Sequence, residues 1–317
     1  MHGILPVDKP KGVTSHDVVA RVRKLSGQRR IGHAGTLDPL ATGVLILCLG
    51  DATRLVDRLM DGVKWYLARV SFGLVTETDD AEGQILGGSE ARFTEADLLG
   101  VLAGQVGELA QVPPQFAAIK QAGVPAYQEA RAGRRVELAA RAISVHSLTL
   151  LTLGPLMVPT PGQADAAARE MLCADLLICC GKGTYVRALA RDLGEALGCG
   201  AYLAGLRRLA SGALTSAMCV TLADLESAAG AGGSAAIGSR LLPLDAALDE
   251  VPAAILSPAA MAAVGHGMPI SLPVRDGESL RLYAAAGGLL SLAVPSDPAN
   301  PARGRWQPRL VFASGDR

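Results

Sequence analysis

A mixed α+β fold is predicted for this chain of 317 residues. Strand-like and helix-like stretches interleave along it instead of forming separate blocks, and no period of about 20–50 residues repeats. A run of almost pure glycine, alanine and serine, Ala228–Ser239, interrupts the chain and reads as a linker. It marks a candidate boundary between a large domain, residues 1–240, and a small β-rich one, residues 241–317. Half of the residues are hydrophobic (50%), enough for a packed core at this length.

Taken in order, Gly3–Asp8 reads as a short strand. Ser15–Ser26 reads as a helix because Val18, Val19, Val22 and Leu25 fall on one face. Val44–Leu49 is continuously apolar, as in a strand buried on both faces. Tyr66, Ala68, Val70 and Phe72 alternate with Leu67, Arg69 and Ser71, as in a half-buried strand. Thr94 and Asp97 resemble a capping box that opens a helix toward Leu98, Leu102 and Val106. Gly154–Ala168, with three prolines, reads as a loop. Cys173–Cys180 reads as another buried strand; from Thr184 onward Val186, Leu189, Ala190, Leu193 and Leu197 share a helical face that stops at Gly198. In the tail, Ser257 opens a short helical stretch, and Gly288–Val294 and Arg309–Ala313 read as strands.

Composition narrows the function classes. No apolar run approaches the ~18 residues of a membrane span, and Met1–Pro10 lacks the apolar stretch of a secretory signal, so a cytoplasmic protein is expected. The six cysteines form no C-x-x-C pair and four lie in apolar runs, where cysteine behaves as a small hydrophobe. Five histidines with no H-E-x-x-H pattern and no zinc spacing leave no expected metal site. Net charge is zero but segregated: residues 1–35 carry seven basic and two acidic side chains, while residues 119–141 and 180–210 each carry five and two. A basic face on a neutral protein and ordinary solvated surface helices both accommodate that pattern.

The most informative stretch is G-H-A-G-T-L-D-P-L-A-T-G-V-L, Gly32–Leu45. Its glycines let backbone approach a ligand closely, and Pro39 biases Asp38 toward an extended conformation. Such a loop can present Asp38 rigidly into a cleft; Asp38-Pro39 alone also reads as a simple turn initiator. With its neighbours the string becomes specific. It resembles the catalytic motif of the bacterial tRNA pseudouridine-55 synthase family. D-K-P-K-G-V-T-S at Asp8–Ser15, Trp65-Tyr66, T-E-T-D-D-A-E-G at Thr76–Gly83, G-K-G-T-Y-V-R at Gly181–Arg187 and G-C-G-A-Y-L-A-G-L-R-R-L at Gly198–Leu209 match family blocks in order and spacing. The resemblance is strong over residues 3–227 and weak over Leu241–Ala313.

The resemblance implies a largely antiparallel mixed-sheet synthase core with flanking helices and a small β-rich, PUA-like RNA-binding domain. It implies a tRNA T-arm stem-loop as partner, no guide RNA, no membrane and no cofactor; a monomer is the default expectation. Forming pseudouridine breaks the ribose–nitrogen bond, turns the base and rejoins it through carbon, which calls for a carboxylate, a proton acceptor and a dry pocket. By motif position Asp38 is the catalytic carboxylate. Arg187 is its partner, since a guanidinium fork orients a carboxylate and favours its charged form. Tyr66 is the aromatic that stacks on the uracil, Tyr185 and Leu206 line the pocket, and His33 fills the space left by extruded nucleotides. Lys9, Lys11, Arg29, Arg30 and Lys120 are candidate phosphate contacts, and Asp80 matches an acidic family position.

Three features depart from the family pattern: Trp65 before the tyrosine, Gly181 where serine is usual, and an apparent insertion at Gly154–Glu170, expected to lengthen a surface loop. A non-catalytic tRNA-binding or folding protein would share the basic segments, but retention of Asp38, Tyr66 and Arg187 together argues against it. Guide-RNA-dependent relatives carry terminal extensions and protein partners, whereas this sequence opens on its first motif. A nucleotide-binding loop at Gly181–Thr184 fails, because no glycine lies five residues before Gly181 and glycine follows Lys182.

Overall fold

The computed structural model describes residues 1–317 except 118, 122–123, 126–128, 131–133, 135, 164–166, 274–277, 298–303 and 313–317, and the side chains of 120, 121, 124 and 125. Ten strands form one mixed sheet: β1 (Gly3–Lys9), β2 (Ile31–Ala34), β3 (Thr42–Leu49), β4 (Lys64–Phe72), β5 (Gly107–Gln111), β6 (Arg141–Val158), β7 (Arg169–Cys180), β8 (Ala201–Ser211), β9 (Leu214–Thr215) and β10 (Val220–Thr221). Its main path runs β10-β1-β3-β8-β4-β7-β6-β5, with β2 on β3 and β9 on β8. Among the described residues of this sheet, only β1 with β10 and β3 with β8 pair parallel. Helices α1 (Ser15–Ser26), α2 (Val56–Asp61), α3 (Glu95–Ala103), α4 (Val186–Ala196), α5 (Leu222–Gly238) and α6 (Pro258–Gly265) flank the strands. A second sheet, β11 (Ala253–Ile255), β12 (Ile270–Ser271), β13 (Leu280–Tyr283), β14 (Leu289–Pro295) and β15 (Arg305–Val311), is ordered β11-β13-β14-β15-β12.

The continuous apolar run of β3 has a direct cause. Leu45, Leu47 and Leu49 pack with Val18, Val19 and Val22 of α1 and Leu189 and Leu193 of α4. The alternate residues Val44, Ile46 and Cys48 pack with Leu248, Val251 and, from the second sheet, Leu289 and Leu292. Both faces of β3 are therefore covered, and the loop before it is anchored to a strand with no exposed side. The second sheet closes its own cluster around Trp306, which is fully buried.

Helix starts follow their caps. Thr14 with Asp17, and Thr94 with Asp97, form complete capping boxes for α1 and α3, each leaving two fewer orphan donors. α3 ends at Ala103, so Val106 lies outside it and is exposed. In β4 the alternation holds except at Ser71, which is buried because Tyr202, itself fully buried, stands opposite it on β8. Five of the six cysteines are buried.

One expected loop is shorter than expected and the other is helical. Gly154–Val158 continue β6, paired with β7 from Gly154 opposite Cys173 to Val158 opposite Arg169. β5 covers β6 only over Arg141–Val145, so Pro155 lies on a free edge where a missing N–H costs no ladder bond. The apparent insertion thus lengthens a two-stranded arm, with only Pro159 to Ala168 between its strands. The Ala228–Ser239 segment lies almost wholly inside α5, which a Thr221/Asp224 capping box opens and Gly233 (φ 61°) kinks. Alanine outweighs glycine there as a helix former, Leu225 and Ile237 are buried, and Arg21 of α1 pairs with Glu226 at 2.6 Å. In the tail, Ser257 caps α6 and Gly288–Val294 overlaps β14. Arg309 to Val311 belong to a strand that starts earlier, at Arg305, and Ala313 lies outside the described residues.

Gly43 is the tightest point of the β3–β8 contact: φ is +97° and an added Cβ would fall 2.2 Å from the Arg208 carbonyl oxygen. Gly43→Ala is expected to lower unfolding free energy by about 3 kcal/mol, from left-handed strain plus strand separation. Urea denaturation of the purified variant measures it.

Candidate active site

The loop between β2 and β3 is fixed from three sides before any ligand arrives. Ser15, the first residue of α1, uses its hydroxyl to accept from the Leu37 N–H at 2.9 Å and to donate to the Leu37 carbonyl at 3.1 Å. Gly12 N–H donates to the Pro39 carbonyl at 2.9 Å. Arg208 of β8, 1% exposed, donates through Nη2 to the Gly35 carbonyl at 2.9 Å and through Nε to the Val44 carbonyl at 2.6 Å. Lys9 is fully buried at the end of β1; its ammonium donates to the carbonyls of Val13 at 2.6 Å, Pro10 at 3.0 Å and Pro39 at 3.4 Å. Burial pushes the Lys9 pKa down to about 8.

This corrects one expectation: Lys9 does not face a phosphate. All its donors are spent on the backbone beside Asp38, as a buried ammonium requires.

Asp38 projects from that loop with its side chain 38% exposed, and Arg187 meets it with a side chain 6% exposed. Nε lies 2.9 Å from Oδ2 without pointing squarely at it, and Nη2 donates to Oδ1 at 3.3 Å. The guanidinium also donates through Nη1 to the Thr78 carbonyl at 3.2 Å and through Nη2 to the Phe116 carbonyl at 3.1 Å. Asp80, 3% exposed, stands 3.7 Å from Nε on the other side. Burial raises the Asp80 pKa against the opposing pull of the Thr78 hydroxyl and Arg187.

Tyr66 lies in β4 opposite Arg208 of β8, almost fully buried; burial raises its pKa while the Arg208 charge acts the other way. Tyr185, half-buried, is the residue before α4. Gln111 at the end of β5 holds its backbone at both ends, accepting from the Tyr185 N–H at 2.9 Å and donating to the Tyr185 carbonyl at 3.1 Å. Burial raises the Tyr185 pKa as well, and the Asp38 charge adds a smaller push in the same direction on both tyrosines. Leu206, half-buried on β8, accepts through its carbonyl from Thr42 at 3.4 Å.

His33, in β2, packs edge-to-face on His16 with ring centres 5.3 Å apart. Its Nδ1 is buried without a partner among the described residues, and burial lowers its pKa. Lys11 and Arg29 are exposed. Arg30 is exposed but already bonded to Thr53 at 2.9 Å and Asp51 at 3.2 Å. The Lys120 side chain lies outside the described residues.

Ser15, Gln111 and Arg208 were not expected. One signal was available for Arg208: adjacent residues on a strand face opposite ways, so Arg207-Arg208 had to send one guanidinium inward. Arg207 takes the outer position and forks onto Asp8 at 3.0 and 2.8 Å.

A mixed sheet of this order, with a carboxylate loop leading into an interior strand, is the pseudouridine synthase fold. A TruB family pseudouridylate synthase N-terminal domain matches residues 23–186, and a tRNA pseudouridylate synthase B C-terminal domain matches residues 187–249. The tRNA pseudouridine synthase B of Ralstonia nicotianae is 42% identical over 289 residues, covering 90% of this chain and 87% of that protein. That of Pseudomonas paraeruginosa is 40% identical over 313 residues, covering 98% and 96%. Among solved structures, a chain of a Cbf5-Nop10-Gar1 complex superposes with a TM-score of 0.69 at 25% identity, covering 98% of this chain and 84% of that one. The chain belongs to the TruB family of pseudouridylate synthases.

Lys9→Met keeps the side chain's length but strands the Val13 and Pro10 carbonyls. Stability is expected to fall by about 1–3 kcal/mol, the cost of buried unsatisfied groups; an unchanged urea midpoint would remove Lys9 from the loop's support.

Proposed function

We propose that this protein converts the uridine at position 55 in the T-arm loop of tRNA to pseudouridine, with Asp38 as the catalytic carboxylate acting on a flipped-out nucleotide. The observation that carries the reading is the Asp38–Arg187 ion pair: a partly exposed carboxylate held by a buried guanidinium, on a loop tied to α1, β1 and β8. The relatives named tRNA pseudouridine synthase B, matched over most of their length, support tRNA as the substrate.

The reaction gains and loses neither atoms nor electrons. The carbon-bound proton leaves carbon as the new bond forms, and the freed nitrogen takes one. A base still stacked in its loop is out of reach, and extracting it costs a few kcal/mol. Stacking on Tyr66 returns ~1–3 kcal/mol. Tyr185 and Leu206 enclose the base, His33 occupies the space it leaves, and Lys11, Arg29 and Arg30 meet the backbone. Residues 1–240 form the catalytic domain in this proposal, and residues 241–317 a second RNA-binding domain. The protein works as a cytoplasmic monomer without guide RNA. None of its described helices is long and apolar enough to cross a membrane.

Purified protein incubated with an unmodified tRNA transcript is expected to produce one pseudouridine, mapped by chemical labelling to the T-arm loop. Asp38→Asn should slow single-turnover conversion about a thousandfold, ~4 kcal/mol of barrier, while still binding tRNA. A variant that turns over normally would sink the assignment; tRNA binding by the native protein with no product would instead favour a non-catalytic binding protein. Tyr66→Ala is expected to weaken productive binding by about 1–3 kcal/mol, read as a raised KM.

A further inference from the structure

The loop that carries Asp80 also presents a second carboxylate. Asp79 is the only non-glycine among the described residues with positive φ, at 59°. Its carbonyl accepts from the Leu203 N–H at 3.0 Å, and the Ala81 N–H donates back to the Leu203 carbonyl at 3.1 Å, so the loop rests on β8. The Asp79 side chain, 13% exposed, turns to α4, where Arg191 Nη1 donates to its Oδ2 at 3.2 Å.

Arg191 lies four residues beyond Arg187, one helical turn along the same face. The two arginines reach the same pair of loops. Arg187 joins the Thr78 carbonyl to the Phe116 carbonyl at 3.2 and 3.1 Å. Arg191 joins the Asp79 carboxylate to the Val112 carbonyl at 3.2 and 2.8 Å, and its own position is braced by Asp192 at 2.9 and 2.8 Å. They form two rungs between the stretch around residues 78–80 and the stretch 112–116. The first rung faces Asp38. The second faces a cavity of about 730 Å³ lined by Glu77, Asp79, Val112, Phe116, Arg191 and Asp192 among others.

We infer that Asp79 and Arg191 are a positioning pair for the reacting carboxylate: by clamping this loop to α4 they hold Asp80 and the Thr78 carbonyl against Arg187, and so hold Arg187 against Asp38. The inference rests on Asp38 being that carboxylate. A left-handed aspartate persists where its surroundings restrain it; here the Leu203 backbone bonds and the Arg191 pair both do so. Asp80 is its direct neighbour, so relaxation at one backbone position displaces the other.

Burial pushes the Asp79 pKa up to about 6, opposed by Arg191 and Arg187 and assisted by Asp192. Among the described residues the charged groups around it are Arg187, Arg191, Asp192 and Glu195 on α4, Glu77 and Asp80 on its own loop, and Arg134 in the cavity wall. Above about pH 6 Asp79 is charged and the clamp is an ion pair. As pH falls through about 6 the carboxyl takes a proton and the clamp weakens, so activity acquires an acid limb there.

The test measures single-turnover conversion of a tRNA transcript and tRNA Kd from pH 5 to 8, with the full-length native protein, Asp79→Asn, Arg191→Lys and Asp38→Asn. Asp79→Asn is isosteric, and a melting curve verifies folding. It is expected to lose about 10- to 100-fold in rate at pH 7.5, the size of an indirect misplacement, with Kd changed less than about twofold and the limb near pH 6 gone. Arg191→Lys keeps the charge but loses the Val112 tie, so a smaller loss with the limb retained is expected; it also serves if Asp79→Asn melts below the assay temperature. A native rate with an unaltered pH profile in the folded variant overturns the inference, as does a loss carried entirely by Kd. Asp38→Asn separates the two ideas: if it is inactive while Asp79→Asn and Arg191→Lys are normal, only the clamp falls; if it is active, the underlying assignment falls first.

Discussion

One buried guanidinium organises the Asp38 side of this molecule. Removing a charge from water is costly unless it is paired and hydrogen-bonded, and the Arg187 side chain is only 6% exposed. Its acceptors come from three separate stretches: the Asp38 carboxylate, the Thr78 carbonyl and the Phe116 carbonyl. Those stretches are far apart in sequence and share no ladder with one another at these residues. The requirement to satisfy a single side chain sets where each of them stands, and Asp38 obtains its orientation from the same requirement.

The sheet supplies what the guanidinium cannot, namely a frame that does not move. β3 is covered on one face by α1 and α4 and on the other by residues of the second sheet, so the loop leading into it is joined to the least deformable part of the fold. Lys9, Ser15 and Arg208 then pin the loop's carbonyls at intervals. Rigidity of this kind is what the proposed reaction calls for, because a detached uracil must turn while the groups around it stay where they are.

Much of this was legible in the sequence, for identifiable reasons. The capping box at Thr94 depends on local hydrogen bonds and fixed a helix start within a residue; the apolar run ending at Leu49 reported two-sided burial before any partner was known. The pairing of Asp38 with Arg187 came through family likeness, since nothing local links residues so far apart. What local reading could not supply was context. Three prolines signalled a loop that starts only at Pro159, because an uncovered edge let the strand continue through Pro155, and an alanine-glycine tract signalled a linker where α1 gave a helix something to pack on. Lys9 looked like an exposed cation because sequence shows charge but not burial. Gln111 gave no signal, since its partner is the Tyr185 backbone, which any residue provides.

The fate of the positive charges ties these points together. The basic excess in residues 1–35 and 180–210 suggested a face for phosphates, yet many of those cations are committed inside the protein. Lys9 serves loop carbonyls, Arg187 holds Asp38, Arg191 holds Asp79, Arg207 forks onto Asp8, and Arg208 braces Gly35 and Val44. Formal charge segregation therefore overstates the number of cations free to meet an RNA backbone. Counter-ion release scales with the phosphates neutralised, so in the proposed function much of the affinity must come from shape and from enclosing one base. That places the burden of recognition on the same rigid loops that hold the carboxylate, and it explains why a chain with no net charge can serve an RNA substrate.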